Sequence, residues 1–321
     1  MLFRSLFFFG TGYAAGLSPK QKCVDWRSVL KKVGWLILAD QTLLWSGGIR
    51  LGMDFFGFIA VSVLVMAFLQ GLRHSQIICI GAILFLLSVR YAARDLVESV
   101  INQEGVLVWA TGVRGQDGWS YPLSPWLVAP LAGFLCARRS SEPKLKHRIL
   151  ITPIALMVGI ALTTILHYRG FIFFRWGSVS VAYFVLATPI ILVTFLFAEW
   201  ITGRYSRIAA RLSLRGASAF LVVPVHYGAL ALLKDTGMTV WTSSNWLLGL
   251  ASMLLLSGVA VLSSQQLATK LSLYQLHLRS GAATLLMGVL LFTAWTSTAH
   301  TLIGGLSCAA VQCIIAVRLT R

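Results

Sequence analysis

Residues 120–148 read SYPLSPWLVAPLAGFLCARRSSEPKLKHR. Pro122 and Pro125 open an apolar run from Trp126 to Ala137, and Arg138, Arg139, Lys144, Lys146 and Arg148 close it within eleven residues. Lys and Arg beside a membrane span are retained on the cytoplasmic side, so the segment reads as a membrane helix of fixed direction. Its Trp126 end then lies outside, and every other segment takes its orientation from this one.

Composition agrees with that class. Of 321 residues, 57% are hydrophobic and 12% charged, with a mean hydropathy of +0.80, a balance that suits an integral membrane protein rather than a water-facing surface. The net charge of +17 would suggest nucleic acid in a soluble domain. Here the charges fall between apolar runs, so topology accounts for them and no nucleic-acid partner is expected. The five cysteines form no Cys-x-x-Cys and lie mostly in apolar runs, where Cys behaves as a small hydrophobe. Neither a disulfide framework nor a metal site is expected.

Outward from the central segment, the chain begins with a short apolar run at 2–17, below the roughly 20 residues of a straight span. A secretory signal peptide is the other reading of that run, since Ala14, Ala15 and Gly16 follow its apolar core. A basic loop at 20–32 leads to spans near 33–49, 54–72 and 75–93, then to a polar segment at 94–121. After the basic exit come spans near 149–166, 178–199, 217–233, 245–263, 282–296 and 302–317. The expectation is an all-α membrane protein, a polytopic bundle of about 10–11 transmembrane helices in one domain covering 1–321. No internal repeat or pair of broken helices marks a transporter.

Counting charges tests the alternation. With 138–148 inside, the loops at 20–32, 73, 204–215 and 270–279 and the C-terminal tail share its side, and together they hold 19 of the 27 Lys and Arg. The bias predicts an outward N-terminus and a cytoplasmic C-terminus, as in a bacterial inner membrane.

Three stretches carry a family resemblance. Phe7-Phe8-Phe9-Gly10-Thr11-Gly12-Tyr13, followed by a basic loop, resembles the second helix of the integral-membrane acyltransferases (acyltransferase family 3). Tyr121-Pro122-Leu123-Ser124-Pro125-Trp126-Leu127, closing with Leu131-Ala132-Gly133, is similar to a run in the branch related to heparan-α-glucosaminide N-acetyltransferase. The stretch from Arg215 to His226, RGASAFLVVPVH, resembles a late helix of that branch. The resemblance implies transfer of an acetyl or other short acyl group from cytoplasmic acyl-CoA to an extracytoplasmic glycan or lipid-linked sugar. In these families a further helix precedes the FFF-type helix, with an essential His in or near it, whereas the first His here is His74. A truncated or misassigned start, a degenerate member, and a helix supplied by a partner membrane subunit are the readings this leaves open.

Several residues could carry chemistry. Asp40 lies within the second span, where a charge costs on the order of 3 kcal/mol and is functional by default; hydrogen bonding between helices is the structural alternative. His226, beside Pro224, has a side chain suited to taking the proton of a sugar hydroxyl, or it packs. Arg204, Arg207, Arg211 and Arg215 recur at helical spacing and could grip CoA phosphates; anionic membrane lipids and the orientation rule explain them equally. Trp119, Trp126 and Arg94 bound or lie in the 94–121 segment and are the candidate sugar-binding residues, in a substrate lid or an ordinary loop. The aromatic loop at 167–176 reads as an interfacial belt. A small-solute transporter or flippase, with Asp40 coupling protons, and a non-catalytic subunit are the rival functions.

Overall fold

The computed structural model describes residues 2–17, 24–46, 49, 51–100, 121, 123–140, 174–175, 178–179, 191, 193–194, 198, 204–205, 218–226, 246–273, 281–296 and 302–319. Its helices are α1 (Leu2–Leu17), α2 (Trp26–Ser46), α3 (Phe55–Gly71), α4 (Ser75–Val100), α5 (Leu123–Trp126), α6 (Val128–Ser140), α7 (Trp246–Leu273), α8 (Gly281–Thr296) and α9 (Leu302–Leu319). Residues 218–226 are also helical. The strands among the described residues are β1 (Phe174–Arg175) and β2 (Ser178–Val179), antiparallel with Phe174 opposite Val179. The all-α class therefore holds. Among the described residues, no helix is long and apolar enough to cross a membrane.

Local chemistry sets the helix ends. Asp25 caps α2, its Oδ1 accepting the Ser28 N–H at 3.2 Å. Helix α3 stops at Gly71, where Leu72 turns extended (φ −90, ψ 137). The central segment departs from the single helix expected over 126–137. Ser124 has φ −96 and ψ 120, non-helical angles imposed by the ring of Pro125, which disfavours the α region for the residue before it. A turn at Leu127 then separates α5 from α6. Pro130 is tolerated because it falls in the first turn of α6, where its missing N–H would have had no intrahelical partner.

The chain divides into two compact units, residues 1–40 with 52–204, and residues 41–51 with 205–321. In the first, α1 and α6 meet backbone to backbone. A Cβ on Gly12 would lie 1.8 Å from the Pro130 carbonyl oxygen, and one on Gly133 would lie 2.0 Å from that of Phe9. Only a residue without a side chain fits there. Gly12 with Gly16, and Gly133 with Ala137, repeat at four-residue spacing, which keeps small residues on one helix face and lets dispersion contacts act over the whole seam.

Polar side chains tie the remaining helices to this seam. Gln70 Nε2 donates to the Ala15 carbonyl at 2.7 Å. Cys79 Sγ donates to the Leu131 carbonyl at 3.3 Å, and Ser124 Oγ to the Leu86 carbonyl at 2.8 Å. These pairings fix directions. Phe8 meets Phe58 while Ala15 meets Gln70, and Gly12 faces Pro130 while Gly16 faces Ala137, so α1, α3 and α6 run parallel. Residues 79 and 86 of α4 meet 131 and 124, so α4 runs antiparallel to them.

In the second unit, α8 and α7 both pack on α9, whose Val311, Ile315, Ala316 and Val317 are buried. Gln312 Nε2 donates to Thr42 Oγ1, joining α9 to the last turn of α2 through two buried polar groups.

Candidate functional site

Asp40 is fully buried. Its Oδ2 accepts the Asp54 N–H at 2.7 Å and its Oδ1 the Phe56 N–H at 2.9 Å. Asp54 holds the N-cap position of α3 but makes no side-chain capping bond, so a carboxylate from α2 caps α3 instead. The first turn of a helix presents unpaired N–H groups and a partial positive charge, and both favour a carboxylate. Gly57 makes room, since a Cβ there would lie 2.6 Å from Asp40 Oδ2. With both oxygens engaged and no surface exposed, the arrangement is that of an interhelical tie rather than an accessible base.

Beside it lies an aromatic cluster. The Phe8 ring sits 4.4 Å from Phe58, 5.2 Å from Phe55, 5.3 Å from Tyr121 and 5.7 Å from Trp126, the last two edge-on. Edge-to-face aromatic pairs at such distances contribute about 0.5–1.5 kcal/mol beyond area burial. Tyr121 has φ 54, a left-handed angle uncommon for a residue with a side chain, and its buried ring packs 5.2 Å from Trp126. Trp126 is 2% exposed. The sequence placed it as a sugar-binding surface; its indole is instead consumed by packing on Phe8 and Tyr121, so it offers no open face to a sugar.

A cleft of about 350 Å³ opens between α1, α2 and α3. Asp25, the α2 cap, and Ser28, Val29 and Lys32 of α2 line it, as do Val63, Met66, Ala67 and Gln70 of α3. Both sets follow the spacing i, i+3, i+4, i+7, so each helix turns one face toward the cleft. The sequence does not single out this site, because Lys32 counts there only as a loop charge. The helical repeat on α2 and α3 was the signal that could have found it.

The other expected site residues are less informative. His226 is helical, the last described residue of the stretch 218–226, and half-buried. Arg204 is exposed. Arg94 belongs to α4, which continues through the start of the segment expected to be a loop. Trp119, Arg207, Arg211 and Arg215 lie outside the described residues, as do span 149–166, most of spans 178–199 and 217–233, and the aromatic loop up to residue 173. The described residues bring Asp40 and Trp126 into one unit, around the first turn of α3 and the Phe8 cluster; His226 belongs to the other unit. Among the described residues no group of His, Cys, Asp or Glu could hold a metal ion.

These features define the class as an α-helical bundle held by close backbone contact and buried interhelical hydrogen bonds. No family model, curated protein or solved structure matches the chain.

Proposed function

We propose that the chain is a multi-pass membrane protein of the integral-membrane acyltransferase kind, moving an acetyl or short acyl group from cytoplasmic acyl-CoA to an extracytoplasmic glycan or lipid-linked sugar. One observation carries the reading: two of the three stretches that resemble those enzymes pack against each other. The FFFGTGY run of α1 meets the YPLSPWLVAPLAG run through Phe8 with Tyr121 and Trp126, Gly12 with Pro130, and Phe9 with Gly133. Motifs separated by a hundred residues thus form a single piece of structure.

Helix direction supports the membrane placement. The charge count gives α1, α3 and the central segment an outward start and a cytoplasmic end, and gives α4 the reverse. The parallel course of α1, α3 and α6, with α4 antiparallel, has the same pattern. It gathers Arg73 and Arg138 toward one end of the unit and the Phe8 cluster toward the other. Outward faces add support: Ile77, Leu84 and Phe85 of α4 and Leu255, Val259 and Leu262 of α7 are between 49% and 73% exposed. Contiguous exposed apolar side chains are unfavourable against water and suit lipid.

In this reading His226 is the candidate base, Arg204 with Arg207, Arg211 and Arg215 the candidate CoA grip, and Arg94 and Trp119 the candidate acceptor contacts. No metal takes part. Proteoliposomes given labelled acetyl-CoA at the cytoplasmic face and mixed glycans at the other should transfer label to the glycan, and His226→Ala should abolish it. A folded wild-type protein that leaves all label on CoA would overturn the reading. The second reading, a non-catalytic membrane subunit, draws on the Asp40 geometry, in which the one acidic residue expected deep in a span is occupied as a helix cap. The same geometry weighs against proton coupling through Asp40 in a transporter.

A further inference from the structure

The cleft between α1, α2 and α3 has no part in the reading above. Helix α2 is anchored to α3 on either side of it. Asp40 binds the first turn of α3, and Val24 comes close to the end of α3, where a Cβ on Gly71 would lie 3.6 Å from its Cγ2. With both ends tied, the middle of α2 cannot collapse onto α3, and a space of about 350 Å³ persists, within the usual range of ligand sites.

Its chemistry is divided. Val24, Val29 and Val63, all part-exposed, give the cleft apolar walls. Lys32 and Ser28 supply a cation and a hydroxyl one turn apart on the facing helix. The one carboxylate in the lining, Asp25, is engaged with the Ser28 N–H as the α2 cap. Lys32 has no carboxylate partner among the described residues and is exposed. An apolar wall facing an ammonium group suits a ligand with an acyl chain and an anionic head.

We propose that this cleft binds a phosphate-bearing amphiphile, its chain against Val29 and Val63 and its phosphate on Lys32 and Ser28. Phosphate is favoured over a neutral head because an ammonium donor to a charged oxygen makes a charge-assisted hydrogen bond. The inference needs the membrane placement but not acyl transfer.

The test titrates 1-oleoyl lysophosphatidic acid into the full chain in neutral maltoside detergent, with bound lipid counted by native mass spectrometry. Lys32→Glu should weaken binding about tenfold or more, the loss of one charge-assisted hydrogen bond. Lys31→Glu, changing an exposed neighbour outside the cleft, should leave binding unchanged, and lysophosphatidylcholine should bind more weakly than the phosphate monoester. Val63→Phe, which enlarges a part-exposed side chain of the cleft wall, should weaken binding while Lys31→Glu does not. Equal effects of the two lysine substitutions, which would reduce binding to general charge attraction, or no effect from Lys32→Glu, which would place the phosphate elsewhere, would overturn the proposal. Palmitoyl-CoA that displaces the lipid would trace the phosphate and chain to a thioester donor, and failure to displace it would trace them to a membrane lipid; both agree with the proposed chemistry. Because binding is read without turnover, a failed transfer assay and a failed titration remain separate results.

Discussion

Asp40 and Gly57 are matched across two helices: a Cβ on residue 57 would lie 2.6 Å from Asp40 Oδ2, the oxygen that accepts the Asp54 N–H. The carboxylate can reach the first turn of α3 only because position 57 is bare.

Asp40→Asn should therefore act on stability. Asn keeps one acceptor oxygen and turns an N–H₂ toward a backbone donor, leaving a buried N–H without its partner at a cost of about 1–3 kcal/mol. Thermal unfolding in detergent measures it. An unchanged melting temperature with lost activity would return Asp40 to the role of a reacting group.

The α1–α6 seam should be intolerant of a single methyl group. Gly12→Ala or Gly133→Ala forces two backbones apart and should cost about 1–3 kcal/mol or more. Gly34→Ala and Gly81→Ala, where nothing lies within 4 Å, should be neutral or gain up to about 1 kcal/mol from helix propensity. Melting temperatures of the four variants separate packing from propensity.

Phe8→Ala should remove the centre of the aromatic cluster, with a loss of about 3–5 kcal/mol. Trp126→Ala should likewise lower stability. If Trp126→Ala instead weakened acceptor binding in a protein of unchanged melting temperature, the indole would be a ligand contact.

Much of the helix map was legible in the sequence, and the differences have a common cause. The runs at 2–17, 282–296 and 302–317 fall within one or two residues of α1, α8 and α9. Helix α4 extends seven residues past its expected end and α7 ten, through RDLVESV and through SQQLATKLSL. Both tails are polar yet contain no Gly or Pro. Hydropathy marks where apolar side chains stop, whereas the backbone continues as a helix until something breaks it. The start expected at Ser178 instead belongs to β2.

The candidate site was legible in part. Asp40 stood out because a lone acid in an apolar run must find partners. Those partners are backbone N–H groups on a helix fourteen and sixteen residues away, and no side-chain pattern announces backbone donors. The spacing of Gly12 with Gly16 and of Gly133 with Ala137 was visible in the sequence, but which two stripes meet is decided only by the fold.

Exposed apolar faces should meet lipid. A diazirine-bearing phospholipid, photoactivated in proteoliposomes and mapped by peptide mass spectrometry, should label the Ile77, Leu84 and Phe85 side of α4 and spare buried Cys79. Labelling of the buried side with the exposed side untouched would place that face against protein.

The placement of α2 and α3 across a membrane is tested most directly by single-cysteine labelling. In a background with the five native cysteines replaced, Lys31→Cys, Leu51→Cys and Arg73→Cys each place a thiol at an exposed position. A membrane-impermeant maleimide should reach residues 31 and 73 only from the cytoplasmic face and residue 51 only from the opposite face. Labelling of all three from one face would show that neither α2 nor α3 crosses, and would contradict the account.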